Sequence, residues 1–206
     1  QGGPLNVARL RTDNPFHQHF LQAAREAGHA INTDFNGAEQ EGMGLNQVTQ
    51  KDGQRCSTYR AYLAPALKRP NLQVLTGAAA QRVLFDGRRA VGVQVLQGGR
   101  LLNLRARAEV ILCAGAFQSP QLLMVSGVGH PTDLALQGLA VHHALRGVGR
   151  NLHDHIDFVF GWRMRGTDLL GVSLPGTWRL LQEIQRRRHP RRGQLATNFA
   201  EMGGFF

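Results

Sequence analysis

The sequence predicts a mixed α/β fold in which helices and strands alternate along the chain. An apolar run, Val110-Ile-Leu-Cys-Ala114, is followed at once by small residues and then by a helical pattern. Between residues 81 and 104, short β-type segments are separated by Asp86-Gly87 and by Gly98-Gly99, which favour hairpin turns. A helical pattern over residues 14–28 begins and ends with suitable capping residues. These features indicate helices packed on sheets.

The first helix is predicted to begin after Asn14 and to end at Gly28. Asn14 is a good cap, Pro15 suits the first turn, and Gly28 suits a left-handed position at the end. His17 and His19 lie two positions apart and cannot share a helix face, which argues against a metal site there. The predicted apolar face consists of Phe16, Phe20, Leu21 and Ala24.

The next part of the chain changes character twice. Residues 34–53 are polar and rich in glycine, which predicts a long loop. A second helix is predicted over residues 57–67, because Arg69-Pro70 would stop it. Short strands rich in apolar and β-branched residues are then predicted at 72–75, 81–85, 90–96 and, on the return, 101–104.

The apolar run and the helix after it predict a binding site. Residues 110–113 are entirely apolar, as expected of a strand in a parallel sheet that is covered on both faces. Ser119 is predicted to cap the following helix, Pro120 to begin it and Gly127 to end it. Such a strand and helix N-terminus bring backbone N–H groups to one point, which suits an anion such as a dinucleotide pyrophosphate.

The last third of the chain contains further signals of regular structure. The composition predicts a short helix over 131–138, a strand over 139–142, a strand over 156–160 and a helix over 176–188. One side of the last helix carries Trp178, Leu181 and Ile184.

The composition restricts the class of protein. The chain has 206 residues, of which 42% are hydrophobic, as in a globular protein. No apolar run approaches the roughly 20 residues that span a bilayer. The net charge of +10 comes mostly from scattered arginines, with one cluster from Arg186 to Arg192. We interpret this cluster as a solvated helix end, with an anionic membrane or partner as the alternative. The chain lacks the interleaved aromatic residues of single-strand nucleic-acid binders.

The termini and the cysteines indicate a cellular location. The first residues lack the features of a signal peptide, and the absence of an initial Met indicates that the natural start is missing. Cys56 and Cys113 form neither a disulfide framework nor a metal-binding set. A reducing cytoplasm is therefore predicted, with peripheral contact to the inner face of the plasma membrane as an extension of this prediction.

The segment Gly115-Ala-Phe-Gln-Ser-Pro-Gln-Leu-Leu-Met-Val-Ser-Gly-Val-Gly129 resembles the second signature of the glucose–methanol–choline (GMC) oxidoreductases, which are flavoenzymes that oxidise alcohols. That signature contains a small residue pair, Ser/Thr-Pro, two aliphatic residues and Ser-Gly-aliphatic-Gly. The resemblance implies FAD as the cofactor and places Ala114, Gly115 and Ser119 beside it.

A second segment, Gly147-Val-Gly-Arg-Asn-Leu-His-Asp-His155, resembles the GMC sequence Pro-Gly-Val-Gly-x-Asn-Leu-x-Asp-His, which lies beside the flavin. Arg146 replaces the usual proline, so a looser turn is expected. The resemblance implies that Asn151, Asp154 and His155 contact FAD. A phosphate-binding P-loop is excluded because the Lys-Ser/Thr ending is missing.

The resemblance extends over nearly the whole chain, in the family's order. Ala80 falls where a small residue usually meets the adenine of FAD through its backbone. In the segment Thr197-Asn-Phe-Ala-Glu201, the resemblance implies that Asn198 and Glu201 face the substrate. A carboxylate near aromatic rings suits a quaternary ammonium group. The alternative for Glu201 is a carboxylate at a strand edge, paired with an arginine.

Two family features are missing. No Gly-x-Gly-x-x-Gly motif is present, and the resemblance ends before the family's catalytic histidine, so no catalytic residue is predicted within this chain. The chain is therefore predicted to be an internal fragment, part of a Rossmann-like FAD-binding domain and part of a GMC substrate-binding domain. Residues 1–45 would be a substrate-domain segment and covering loop, 46–155 an FAD-domain segment, and 156–206 the start of the substrate-binding domain.

The expected function is oxidation of a primary aliphatic alcohol to an aldehyde, with hydride transfer to the flavin. Choline oxidation to betaine aldehyde is the first alternative, and a non-catalytic basic module that binds a membrane or an anionic partner is the second. A quinone or another respiratory acceptor is the expected electron acceptor. The 206 residues alone are expected to bind FAD poorly and to be inactive.

Overall fold

The computed structural model describes residues 2–12, 14–162, 174–186, 193 and 195–206. The chain divides into two compact units, which are described separately. Unit 1 consists of Gln1–Gln73 and Gly161–Phe206, and unit 2 of Val74–Phe160. Unit 1 therefore includes residues 46–73, and their assignment to an FAD-domain segment stays a prediction. The mixture of helices and strands agrees with the predicted fold class.

The first helix of unit 1, α1, extends over Phe16–Glu26 and confirms the prediction. The side-chain oxygen of Asn14 accepts a hydrogen bond from the Phe16 N–H at 3.0 Å, which stabilises the start of the helix. Gly28 has φ +83° and lies just beyond the helix end. The buried residues of α1 are His17 and Ala24, so the buried face includes a histidine that was not part of the predicted apolar face.

The predicted loop over residues 34–53 is interrupted by short strands, so that prediction is wrong in part. Strand β1 (Gly42–Leu45) pairs antiparallel with the last strand of the chain, β9 (Met202–Phe205). Strands β2 (Gln50–Lys51) and β3 (Gln54–Arg55) form a small hairpin. Local composition gave no sign of β1, because its partner lies at the other end of the sequence.

The second predicted helix is present but is mostly of an unusual type. A π-helix over Tyr59–Leu63 continues into α2, a single turn over Ala64–Ala66. Such wide turns are rare and local composition does not reveal them. Residues 72–75 form no strand, so that prediction is wrong.

Unit 2 contains the predicted antiparallel strands. Strands β4 (Ala78–Asp86), β5 (Arg89–Gln97) and β6 (Arg100–Arg105) form a sheet in sequence order. Gly98 and Gly99 join the last two strands with φ of +54° and +75°, the left-handed pair that a type I′ turn requires. These strands and this turn confirm the prediction.

The helix of the segment Gly115–Gly129, α3, extends over Gly115–Val125. It therefore begins four residues before Ser119, and the prediction that Ser119 is the N-cap is wrong. Residues 110–113 form no strand, because no described strand lies beside them to share hydrogen bonds, and Ile111 is 72% exposed. Gly127, with φ +82°, follows the helix end as predicted.

Helix α3 is attached to the sheet by one serine. The hydroxyl of Ser126 accepts a hydrogen bond from the Val83 N–H at 2.8 Å and donates one to the Leu122 carbonyl oxygen. Val83 lies in β4 and is buried, as is Val95 in β5. The C-terminal end of α3 is therefore fixed to the edge of the sheet that β4 forms.

The remainder of unit 2 contains a packed helix and an exposed final segment. Helix α4 (Pro131–Leu136) confirms the predicted short helix, and its Leu134 has 0% exposure. Strands β7 (Val128–Gly129) and β8 (His143–Ala144) pair in parallel, so the strand predicted at 139–142 lies further along the chain. No strand forms at 156–160, where Val159 is 92% exposed, because no described strand pairs with it.

Unit 1 also contains α5 (Leu174–Arg186), which confirms the predicted helix within the described residues. The predicted apolar side of α5 is exposed at Trp178, Leu181 and Ile184. Most of the basic cluster, residues 187–192, lies outside the described residues. Among the described residues, no helix combines the length and the apolar character needed to cross a lipid bilayer.

Candidate functional site

The start of α3 forms the centre of the candidate site in unit 2. Gly115 has φ +86°, and a Cβ added there would meet no protein atom within 4 Å. Glycine is therefore required by the backbone, and the space beside it is open. The Ser119 hydroxyl accepts a hydrogen bond from the Ala114 N–H at 2.9 Å. The amides of Gly115, Ala116 and Phe117 belong to the first turn of α3, where backbone N–H groups have no intrahelical partner.

Two of the predicted FAD-binding residues line one cavity of about 430 Å³ between β4 and the start of α3. Ala80 reaches it from the strand and Ala114 from the N-cap position of the helix. We call it the β4–α3 cavity. Its other lining residues are Ala79, Gln81, Gln118, Gln121, Leu122 and Val125.

A second cavity, of about 830 Å³, lies between α3 and the segment 147–151, which we call the Asn151 loop. Asn151 lines this α3–loop cavity and has φ +57°, the left-handed conformation. Gln121 and Val125 of α3 line both cavities. The helix therefore places Ala80, Ala114 and Asn151 around a common element, although they are far apart in sequence.

Asp154 and His155 are not brought to these cavities. Both are exposed and lie in an extended segment after the Asn151 loop, and neither lines the two cavities. The His155 N–H donates a hydrogen bond to the Asp154 side chain at 2.8 Å. A contact of these two residues with FAD stays a prediction.

In unit 1, the predicted substrate residue Glu201 is only 5% exposed. Its Oε2 atom lies 2.7 Å from Asn14 Nδ2, which donates to it, and 2.8 Å from His17 Nε2. Burial raises the pKa of Glu201, but hydrogen bonds from Thr197, Asn14 and His17 outweigh it and hold this pKa below its ordinary value. Glu201 is therefore a buried carboxylate that stays ionised at neutral pH.

The surroundings of Glu201 differ from one of the two sequence-based interpretations. Its described ion-pair partner is His17, so the expected pairing with an arginine is wrong for the described residues. Asn198 is exposed and forms no part of this cluster. A substrate contact for Asn198 or Glu201 stays a prediction.

The sequence analysis missed the role of His17. With Phe20, Leu21 and Ala24, His17 completes the i, i+3, i+4, i+7 spacing of a buried helix face, and this pattern could have placed it inward. His17 and Thr12 also line a third cavity, of about 250 Å³, within unit 1. The Glu201 cluster therefore adjoins an internal space.

The geometry of unit 2 defines a class of site. A helix N-terminus that opens onto a cavity beside a sheet, with a second cavity along the same helix, suits an elongated anionic ligand. The family model described as GMC oxidoreductase matches residues 2–157. The chain belongs to the GMC oxidoreductase family.

Two curated relatives show what the chain is similar to. It is 43% identical over 205 residues to an alcohol dehydrogenase [acceptor] of Pseudomonas putida. The aligned region covers 98% of this chain and 37% of that protein. It is 49% identical over 155 residues to mitochondrial choline dehydrogenase of Mus musculus, covering 75% of this chain and 26% of that protein. The chain therefore spans 26–37% of the length of these two relatives.

Solved structures share the fold. A variant of formate oxidase from Aspergillus oryzae, studied for its FAD modification, superposes with a TM-score of 0.83 at 25% identity and covers 99% of this chain and 36% of its own. An FAD-dependent oxidoreductase from Chaetomium thermophilum gives a TM-score of 0.80 at 25% identity, covering 95% of this chain and 35% of its own.

Proposed function

We propose that this chain is part of an FAD-dependent oxidoreductase that acts on the CH–OH group of a primary aliphatic alcohol and produces the aldehyde. The observation that carries this proposal is the start of α3, where Ala80 and Ala114 line one cavity and the space beside Gly115 is open. Membership of the GMC family and the similarity to an alcohol dehydrogenase over 98% of the chain support it.

The residues of unit 2 fit FAD on physical grounds. The first amides of α3 carry the positive end of the helix dipole, which favours a pyrophosphate. Glycine at position 115 leaves room for a ligand to approach the backbone. Residues Ala80, Ala114, Gly115, Ser119 and Asn151 would hold the cofactor, and bound FAD would accept the hydride from the alcohol carbon.

Within the chain, these residues bind and orient rather than transfer protons. Ser119 would keep the start of α3 in place by accepting the Ala114 N–H, so that the following amides face the ligand. Asn151 would present its side chain from the α3–loop cavity. No described residue is assigned as the proton acceptor for the alcohol.

The aliphatic alcohol is preferred to choline because of Glu201. A carboxylate that is buried and hydrogen-bonded to Asn14 and His17 is poorly placed to receive a quaternary ammonium group. Choline remains the second candidate, since the identity to mouse choline dehydrogenase reaches 49% over 155 residues. We also propose a quinone or another respiratory acceptor and a cytoplasmic location. A non-catalytic basic module gains no support from unit 2.

The test uses the whole protein that carries this chain. Its flavin absorbance after purification would be measured, and reduction of a dye acceptor would be followed with medium-chain primary alcohols and with choline. We expect bound FAD and a higher kcat/KM with the aliphatic alcohols. A protein without flavin would contradict the FAD proposal, and a preference for choline would contradict the choice of substrate.

A matched pair of variants tests the site itself. Gly115→Ala adds a methyl group in the open space at the start of α3, whereas Gly98→Ala adds one in open space at a hairpin turn. Both positions have φ between +50° and +90°, so the backbone cost is similar. FAD affinity should fall about tenfold or more for Gly115→Ala alone. Equal effects of the two substitutions would contradict the placement of FAD.

A further inference from the structure

The Asn151 loop adopts a conformation that its own sequence does not favour. Gly149 has φ +75°, and Asn151, which carries a side chain, has φ +57°. Left-handed residues other than glycine are disfavoured, although asparagine tolerates the conformation better than most. Contacts outside the loop must therefore hold Asn151 in the position from which it lines the α3–loop cavity.

One such contact lies on the α3 side of the loop. A Cβ at Gly149 would come within 3.0 Å of Met124 Sδ, and Met124 lies in α3. The loop backbone is thus packed directly against the helix. This contact fixes the distance of the loop from α3 but supplies no polar bond to set its orientation.

The polar bond comes from Arg150, between Gly149 and Asn151. Its Nη2 atom donates a hydrogen bond to Asp133 Oδ2 at 2.5 Å, which makes a close ion pair. Asp133 lies in the first turn of α4, where a carboxylate is also favoured by the helix dipole. The next residue, Leu134, is fully buried, so Asp133 is attached to a rigid point.

The ion pair of Arg150 and Asp133 is partly exposed to solvent, which limits its contribution to stability. The side chains of Arg150 and Asp133 are 51% and 35% exposed. Pairs that are exposed to this degree contribute little to overall stability, because water screens them. An ion pair that stabilises the fold only slightly but bonds a left-handed loop to a rigid helix acts mainly on the geometry of that loop.

We propose that Arg150 is a positioning residue for FAD binding, which acts by holding the Asn151 loop against α4 through Asp133. The inference rests on the proposed function, because Asn151 is taken to contact FAD. Arg150 lines the α3–loop cavity beside Gly149 and Asn151, but its guanidinium is bonded to Asp133 of α4 rather than to the cofactor.

The test measures FAD affinity of the whole protein, by titration of the flavin-free form, for Arg150→Ala, for Asp133→Asn and for the double variant. Each single variant should weaken FAD binding about tenfold, and the double variant should be no weaker than either, as expected of two residues in one interaction. Arg150→Lys should restore part of the affinity. The unfolding temperature without FAD should not change.

Arg146→Ala is the control, because Arg146 precedes the same loop and makes no ion pair with the described residues. It removes the same charge but should leave FAD affinity unchanged. Equal affinity of the Arg150→Ala and Arg146→Ala proteins, or additive losses in the double variant, would overturn the positioning role alone. A wild-type protein that binds no flavin would overturn the proposed function and this inference together.

Discussion

Replacement of Glu201 by glutamine tests the buried cluster of unit 1. The substitution keeps the size of the side chain but removes its charge. It also places an NH2 group against two donors, Asn14 Nδ2 and His17 Nε2, which lie 2.7 and 2.8 Å from the present carboxylate oxygen. Hydrogen bonds to a charged group contribute about 1.5–3 kcal/mol each, and one amide oxygen would still accept. We therefore expect a loss of about 2–4 kcal/mol in the free energy of unfolding at neutral pH.

The pH dependence of this loss follows from the lowered pKa of Glu201. A carboxyl group whose pKa is lower in the folded state stabilises the fold above its unfolded-state pKa. This stabilisation disappears as the pH falls through the folded-state pKa. Protonated Glu201 then resembles glutamine, so the difference between the wild type and Glu201→Gln should shrink towards zero in acid.

Urea unfolding followed by circular dichroism, at neutral pH and at several acidic values, would measure the difference. Glu26→Gln is the control, because Glu26 lies in the same unit, at the end of α1, and is exposed. It should change the free energy of unfolding by less than about 0.5 kcal/mol. A loss for Glu201→Gln that stays constant down to acidic pH, or an equal loss for Glu26→Gln, would refute the reasoning.

Three further substitutions test the packing of unit 2 by thermal or urea unfolding. Gly127→Ala would place a Cβ 2.6 Å from a backbone carbonyl oxygen, at a residue with φ +82°, and should lower the free energy of unfolding by more than about 2 kcal/mol. Gly98→Ala meets no such contact and should lower it by about 1 kcal/mol. Leu134→Ala should cost about 2–5 kcal/mol, because the side chain is fully buried. Ser126→Ala should cost about 1–3 kcal/mol, since the N–H of Val83 loses its partner, and Ser126→Thr should cost less. Equal stability of the two glycine variants, or wild-type stability of either of the others, would contradict the packing.

The parts of the fold that the sequence predicted well are those with local causes. Helix α1 begins and ends where its capping residues indicated, and strands β4, β5 and β6 are joined by the predicted turns. At Gly98-Gly99 the backbone takes the left-handed pair that the two residues allow. Such signals need only a few neighbouring residues, so one sequence is sufficient to find them.

The predictions that were wrong depended on distant partners. The apolar run at 110–113 and the segment 156–160 were predicted as strands, but a strand needs a neighbour for its hydrogen bonds, and no described strand pairs with them. The opposite error occurred at β1, which was predicted as loop and pairs with β9 across most of the chain. Composition alone could not decide either case.

The candidate site was predictable only through motifs. The family signatures led to Ala80, Ala114 and Asn151, which the structure places along α3. They also led to Asp154 and His155, which line neither cavity there. The contacts that orient these residues carry no such signature. The pair of Arg150 and Asp133 depends on how the chain folds, and local spacing does not reveal it. The burial of His17, in contrast, follows the spacing of the buried face of α1.

The two glycines at the ends of α3 separate a structural cause from a functional one. Gly127 has φ +82°, and any Cβ would strike the neighbouring backbone, so the fold itself requires glycine there. Gly115 has a similar φ of +86°, but the space around it is open. If backbone conformation alone required Gly115, its replacement would affect stability only. An additional loss of FAD affinity, beyond the change in stability, would show that the open space serves a ligand.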